Sequence, residues 1–115
     1  MTTIIRYLLL PAIAVVIVGC NSMPDNLKKL KSKYALERCE AIHWLYYHVK
    51  SDTTRELLVE ALHKDESDVV RSLAARLMAL DGDKSYIPEL EKALEDPSAL
   101  VRMEAAQSLG SLKAL

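Results

Sequence analysis

Phenylalanine is absent from this 115-residue sequence, and glycine occurs only three times. Alanine, leucine, glutamate and lysine fill the space instead. These residues lose little rotamer freedom in a helix, so the composition is helical. No stretch alternates apolar and polar residues as a half-buried strand does. Positive charge is not in surplus, with 15 Lys and Arg against 16 Asp and Glu, which argues against a nucleic-acid partner. Cysteine occurs twice, at Cys20 and Cys39. No apolar run reaches the roughly 20 residues that a bilayer span requires.

The start of the chain is different in kind. Arg6 supplies one positive charge, and Leu8 to Val18 then carry no polar side chain. A charged start, a short apolar core and the small Gly19 have the layout of a cleaved secretory signal. Ile17-Val18-Gly19-Cys20 resembles the lipobox of bacterial lipoproteins. That resemblance implies cleavage between Gly19 and Cys20, a diacylglycerol thioether on the Cys20 sulfur, and an N-acyl chain on its freed amine. Two or more acyl chains anchor a protein stably, whereas one does so marginally. Asn21, in place of the Asp that retains lipoproteins at the inner membrane, implies the periplasmic face of the outer membrane in a Gram-negative host. The expected organisation is a signal over 1–19, a lipidated Cys and tether over 20–24, and a folded domain over 25–115.

Without residues 1–19 the chain keeps 14 Lys and Arg against 16 Asp and Glu. Once Cys20 is lipidated, Cys39 has no partner for an internal disulfide. It is either a small buried residue or the site of an intermolecular bond.

The remainder repeats itself. Val70, Arg71, Ala74 and Ala75 recur 31 residues later as Val101, Arg102, Ala105 and Ala106. A worn earlier copy has Arg38, Ala41 and Ile42. Between these segments, Leu58, Ala61 and Leu62 recur as Leu90, Ala93 and Leu94. Leu27 and Leu30 are the worn first instance of this second pattern. Two alternating helix types at a fixed period mark a helical solenoid. The spacing predicts helices over about 25–32 and 34–49, 53–63 and 67–80, and 85–95 and 97–112. Thr53 and Glu56 are expected as a capping box, Gly82 as a C-terminal breaker, and Asp96 as an N-cap followed by Pro97 in the first turn.

These residues resemble HEAT-type repeats, in particular the short variant of phycobilisome-lyase-like proteins. The fold that follows is an all-α, right-handed solenoid of about three hairpins. The resemblance also implies structural pairing of Arg71 with Asp65 and of Arg102 with Asp96.

Chemistry is thinly represented. Metal enzymes of the wider repeat family use His-Glu pairs, and this chain has none. Cys39 and His43 stand four residues apart but suggest no third ligand. Asp81, Gly82 and Asp83 lack EF-hand spacing. Thus no metal, no cofactor beyond the lipid on Cys20, and no enzymatic activity are expected. Two other readings stay open: a lyase-like or metal-dependent enzyme by family analogy, and a structural homo-oligomer.

The expected function is non-enzymatic: a membrane-anchored scaffold, adaptor or assembly factor that binds another envelope protein. On the helix over 34–49, Ala35, Arg38, Ala41, Ile42, Leu45 and Val49 form the inward stripe, while Glu40, Trp44 and Tyr47 lie opposite. The repeat register carries these three onto Leu73, Leu77 and Leu80, then onto Glu104, Ser108 and Ser111. Trp44, Tyr47, Leu73, Leu77 and Leu80 are therefore candidate partner contacts. The alternative is that the aromatics pack beneath the first helix and the leucines pack between units. Leu100, Met103, Leu109, Leu112 and Leu115 must divide between the core and a C-terminal edge, which is a second candidate surface.

Overall fold

The helical stretches of the sequence become six α-helices and one short 3-10 turn in the computed structural model, which describes residues 22–49 and 51–115. Among the described residues there is no strand. The expected signal segment, with Gly19, Cys20 and Asn21, lies outside them. The helices are α1 (Met23–Lys29), α2 (Ala35–His48), α3 (Asp52–Lys64), α4 (Asp68–Asp81), α5 (Ile87–Ala93) and α6 (Ala99–Lys113), with the 3-10 turn at Lys84–Tyr86 before α5. No described helix is long and apolar enough to cross a membrane.

Consecutive helices pair as three hairpins, α1–α2, α3–α4 and α5–α6. The second helices then stack in order, α2 on α4 and α4 on α6, and the α4–α6 contact is the most extensive among the described helices. One continuous core runs through the stack. Leu58 and Leu62 come from α3, Val70, Ala74, Ala75, Leu77 and Met78 from α4, and Leu90 from α5. Val101, Ala105, Leu109 and Leu112 come from α6, and Ile42 and Tyr46 from α2. Each large side chain fully withdrawn from water contributes about 1.5–3 kcal/mol. Ala74, Ala75 and Ala105 are completely buried, and their small size lets neighbouring helices approach closely. Tyr46 is a core residue that the inward stripe of α2 did not include.

The helix ends confirm one signal and correct two. Gly82 adopts the left-handed conformation at the end of α4, with φ of 72°. A Cβ there would meet only the Leu115 side chain at an ordinary 3.8 Å, so backbone conformation is what favours glycine. The Thr53–Glu56 capping box does not form. Helix α3 begins at Asp52 with Ser51 at the N-cap position, which leaves Thr53 inside the helix. The Thr54 hydroxyl donates instead to the Val49 carbonyl, tying α3 to the end of α2. Asp96 is not the N-cap of α6 either. Ser98 holds that position and Pro97 precedes the helix, while the Asp96 carboxylate accepts the Ser98 N–H and meets an arginine of the preceding hairpin.

Candidate functional site

Three arginines, one on the second helix of each hairpin, reach back to the loop before their own helix. Arg38 Nη1 donates to the Ser32 carbonyl at 2.7 Å, Arg71 Nη1 to the Asp65 carbonyl at 2.8 Å, and Arg102 Nη1 to the Asp96 carbonyl at 2.8 Å. The remaining edge of the guanidinium faces the next hairpin. Arg38 Nε and Nη2 both lie 2.9 Å from the Asp65 carboxylate. Arg71 Nε and Nη2 lie 2.9 and 3.0 Å from that of Asp96. Each Asp also accepts the backbone N–H of a following serine, Ser67 or Ser98, at 2.9 Å.

This geometry corrects the expected pairing. The carboxylate partner of Arg71 is Asp96, one hairpin onward, and Asp65 offers Arg71 only its carbonyl. Arg102 likewise takes the Asp96 carbonyl, together with that of Pro97 at 3.0 Å. Among the described residues no carboxylate bonds to Arg102. The physical reason is reach: an Asp three residues ahead of its helix, with its carboxylate held by the serine N–H at the helix start, meets the guanidinium of the preceding hairpin.

The forks shift the titration of their members. The Asp65 hydrogen bond raises the already high Arg38 pKa, outweighing burial. Burial pushes the Asp96 carboxyl up, but the Arg71 and Ser98 hydrogen bonds and the charges of Arg71 and Arg102 outweigh it, leaving Asp96 below its ordinary value.

The junction between α4 and α6 carries further polar ties. Arg76 Nε and Nη2 meet Glu104 at 3.1 and 2.8 Å. The Ser108 hydroxyl donates to the Ala75 carbonyl at 2.9 Å, and that of Ser98 to Asp68 at 2.8 Å. Glu104 and Ser108 are buried, which is consistent because both are satisfied. In the repeat register both stand in line with Glu40 and Trp44, on the side of α2 away from the core, and nothing in the repeat marks Arg76. Their register with Leu73, Leu77 and His43 was legible, but a helix–helix hydrogen bond leaves no mark in one sequence.

The candidate contacts that the repeat register carries from α2 onto α4 do not form a continuous surface. Leu77 is 1% exposed and belongs to the core, and Leu73 is half-buried against it. Leu80 remains open at 61%. The surface breaks because α4 is the central helix, with α2, α3 and α6 all packed on it.

Trp44 and Tyr47 do share a surface. Trp44 is half-buried and stacks on His48 at 4.2 Å, and Tyr47, 52% exposed, lies 4.8 Å from His43. With Lys29 and Glu40, which pair at 3.1 Å, these four rings line a shallow recess of about 490 Å³ on the first hairpin.

Other candidates disperse. Cys39 is half-buried, and burial raises its thiol pKa, with the Asp65 charge adding to the rise. His43 is occupied with Tyr47, and His63 meets Glu89 at 3.0 Å. Asp83 holds the 3-10 turn through the Ser85 N–H and bonds Arg55. Among the described residues no three His, Cys, Asp or Glu come together as a metal site. At the far end, Leu109 and Leu112 are buried, whereas Leu100, Met103 and Leu115 are exposed.

Helical hairpins stacked in register, with each junction bridged by a repeated Arg–Asp fork, define an α-solenoid. Residues 54–114 match the HEAT repeats, and the chain belongs to that family. It is also similar to the epoxyqueuosine reductase of Bacillus subtilis (strain 168), 37% identical over 68 residues. That match covers 58% of this chain and 18% of the reductase, so the chain spans less than a fifth of the length of this relative.

Proposed function

We propose that this protein is a non-enzymatic interaction scaffold, tethered by lipid at Cys20, that receives another protein of the cell envelope. The observation that carries the reading is the aromatic surface of α2. Trp44, Tyr47, His43 and His48 stand on the face of that helix away from the buried Arg38, Ala41, Ile42 and Leu45. A Trp and a Tyr with apolar bodies and polar tips suit a protein interface. Leu80, which the repeat register places in line with Tyr47, extends the candidate surface. Leu73 and Leu77 are dropped from it.

The tether rests on the lipobox-like sequence, and the same resemblance supports the outer membrane of a Gram-negative host. Helix α1 starts at Met23 with Ser22 as its N-cap, so only Asn21 separates Cys20 from the folded domain. At about 3.3–3.6 Å per residue, such a link holds the first hairpin within roughly 10 Å of its anchor. A likeness over 18% of a reductase does not carry a reaction to this chain.

Two measurements test the reading. Labelling with a palmitate analogue is expected in the full chain and lost in Cys20→Ala; equal labelling would remove the tether. Trp44→Ala with Tyr47→Ala is expected to abolish recovery of the partner from crosslinked membranes while the helical content stays intact. Unchanged recovery from folded protein would remove the aromatic surface.

A further inference from the structure

Helix α6 exposes a face that its two counterparts bury or half-bury. In α4, Asp68, Ala75 and Ala79 face the third hairpin: Asp68 accepts the Ser98 hydroxyl, Ala75 offers its carbonyl to Ser108, and Ala79 lies beside Ser108 and Ser111. Thirty-one residues on, the same register positions in α6 are Ala99, Ala106 and Gly110, all exposed. Met103, the counterpart of the buried Ser72, is 51% exposed. A Cβ built on Gly110 would meet nothing within 4 Å. Beside this stripe stands Arg102, anchored through Nη1 as Arg38 and Arg71 are, but with Nε and Nη2 bonded to no carboxylate among the described residues.

We propose that this α6 face docks an α-helical hairpin of a partner protein, which places on Arg102 a carboxylate three residues ahead of its second helix. The molecule contains two filled examples of that joint, Arg38 with Asp65 and Arg71 with Asp96, each with bidentate contacts of 2.9–3.0 Å. A planar guanidinium fork selects carboxylate in that geometry. Small residues at 99, 106 and 110 leave room for close helix approach, and Met103 supplies apolar contact.

A second copy of this chain fits poorly. Stacked head to tail it would bring Ser32 to the place of the acid, since Ser32 is to Arg38 what Asp65 is to Arg71. Stacked tail to tail it would set Arg102 against Arg102. The inference rests on the scaffold reading but uses the end of the stack opposite the aromatic surface.

The test places a photocrosslinking residue at Met103 or at Tyr47 in the full lipidated chain, within its host's membranes. The expected result is a hetero-adduct at Met103 whose crosslinked segment carries an Asp or Glu just ahead of a helix. Its yield should fall at least about tenfold in Arg102→Glu, the scale set by losing one partner of a desolvated charge pair. Exchanging the partner's acid for Arg should restore it. An adduct of twice the chain mass, an adduct indifferent to Arg102→Glu, or none at Met103 overturns the proposal. An adduct at Tyr47 with none at Met103 leaves the scaffold standing without this docking face, and adducts at neither position remove both.

Discussion

The two junctions of the stack share one fork and differ in nearly everything around it. Between α2 and α4, Arg38 holds Asp65 and reaches the exposed Glu66 at 3.7 Å, and the surroundings are otherwise apolar, with Ile42 and Tyr46 in the core. Between α4 and α6, Arg71 holds Asp96 in the same geometry, and three further polar ties cross: Ser98 to Asp68, Arg76 to Glu104, and Ser108 to Ala75. Register explains the contrast. His43 and Leu73 occupy in the first junction the positions that Arg76 and Glu104 occupy in the second. Cys39, Ile42 and Tyr46 stand where α4 has Ser72, Ala75 and Ala79. The bulkier set keeps α2 from the extensive contact that α4 makes with α6. The second junction is therefore the more extensive one, and the first hairpin is expected to separate before the others.

The largest expected effect comes from breaking each fork. Removing one member of a partly buried pair leaves the other charge uncompensated, at a cost of about 3 kcal/mol. For a domain of this size that lowers the melting temperature by roughly 12 °C or more. Arg71→Ala sits mid-stack and is expected to lower the whole transition. Arg38→Ala is expected to free α1 and α2 while α3 to α6 stay protected. Thermal melts with hydrogen exchange separate the two outcomes, and identical exchange patterns would show the junctions to be equivalent.

The Arg76–Glu104 pair ranks next. Arg76→Ala strands a buried acid on α6, with a loss of about 1–2 kcal/mol. His43→Ala, its register counterpart, is expected to change stability by less than about 0.5 kcal/mol, as exposed positions do. Denaturant midpoints of the two variants measure the difference directly.

Much of this architecture was legible beforehand. The 31- to 33-residue repeat gave the hairpins, and Gly82 marked the end of α4 because only a local conformation was involved. The forks were half legible. The repeat marked Arg71, Arg102, Asp65 and Asp96, and Arg38 stood out as a charge inside an apolar stripe. Which Asp met which Arg depended on how hairpins stack, and that is a property of three dimensions. The aromatic surface survived because Trp44 and Tyr47 sit opposite the core stripe of a single helix. Leu73 and Leu77 failed because burial of the central helix is set by its neighbours on every side.

A smaller effect is read by pH at the second junction. Asp96 titrates below its ordinary value of 3.8 in the folded chain. Its contribution is therefore present above that pH and is lost as the pH falls through the lower folded value. Melting temperatures are expected to drop in the parent chain as the pH falls from about 5 to about 2. In Asp96→Asn they start lower and lack this part of the acid step. If both chains lose stability in parallel, the acid step belongs to other carboxylates, with Glu89, also lowered, the next to test.

The smallest effect is a rate, read at Cys39 in a Cys20→Ala background. Burial and the Asp65 charge hold the Cys39 thiol above its ordinary value, while Arg38 pulls it down. Slow reaction with a maleimide near neutral pH is expected, because the thiolate is the reactive form. Arg38→Ala then gives opposite signs for two states of the first hairpin. If α2 stays docked, losing the arginine charge raises the thiol further and labelling slows. If the hairpin separates, Cys39 meets water and labelling accelerates. The looser first junction predicts acceleration, and a slower rate in Arg38→Ala would show that apolar contacts through Ile42 and Tyr46 hold α2 without its fork.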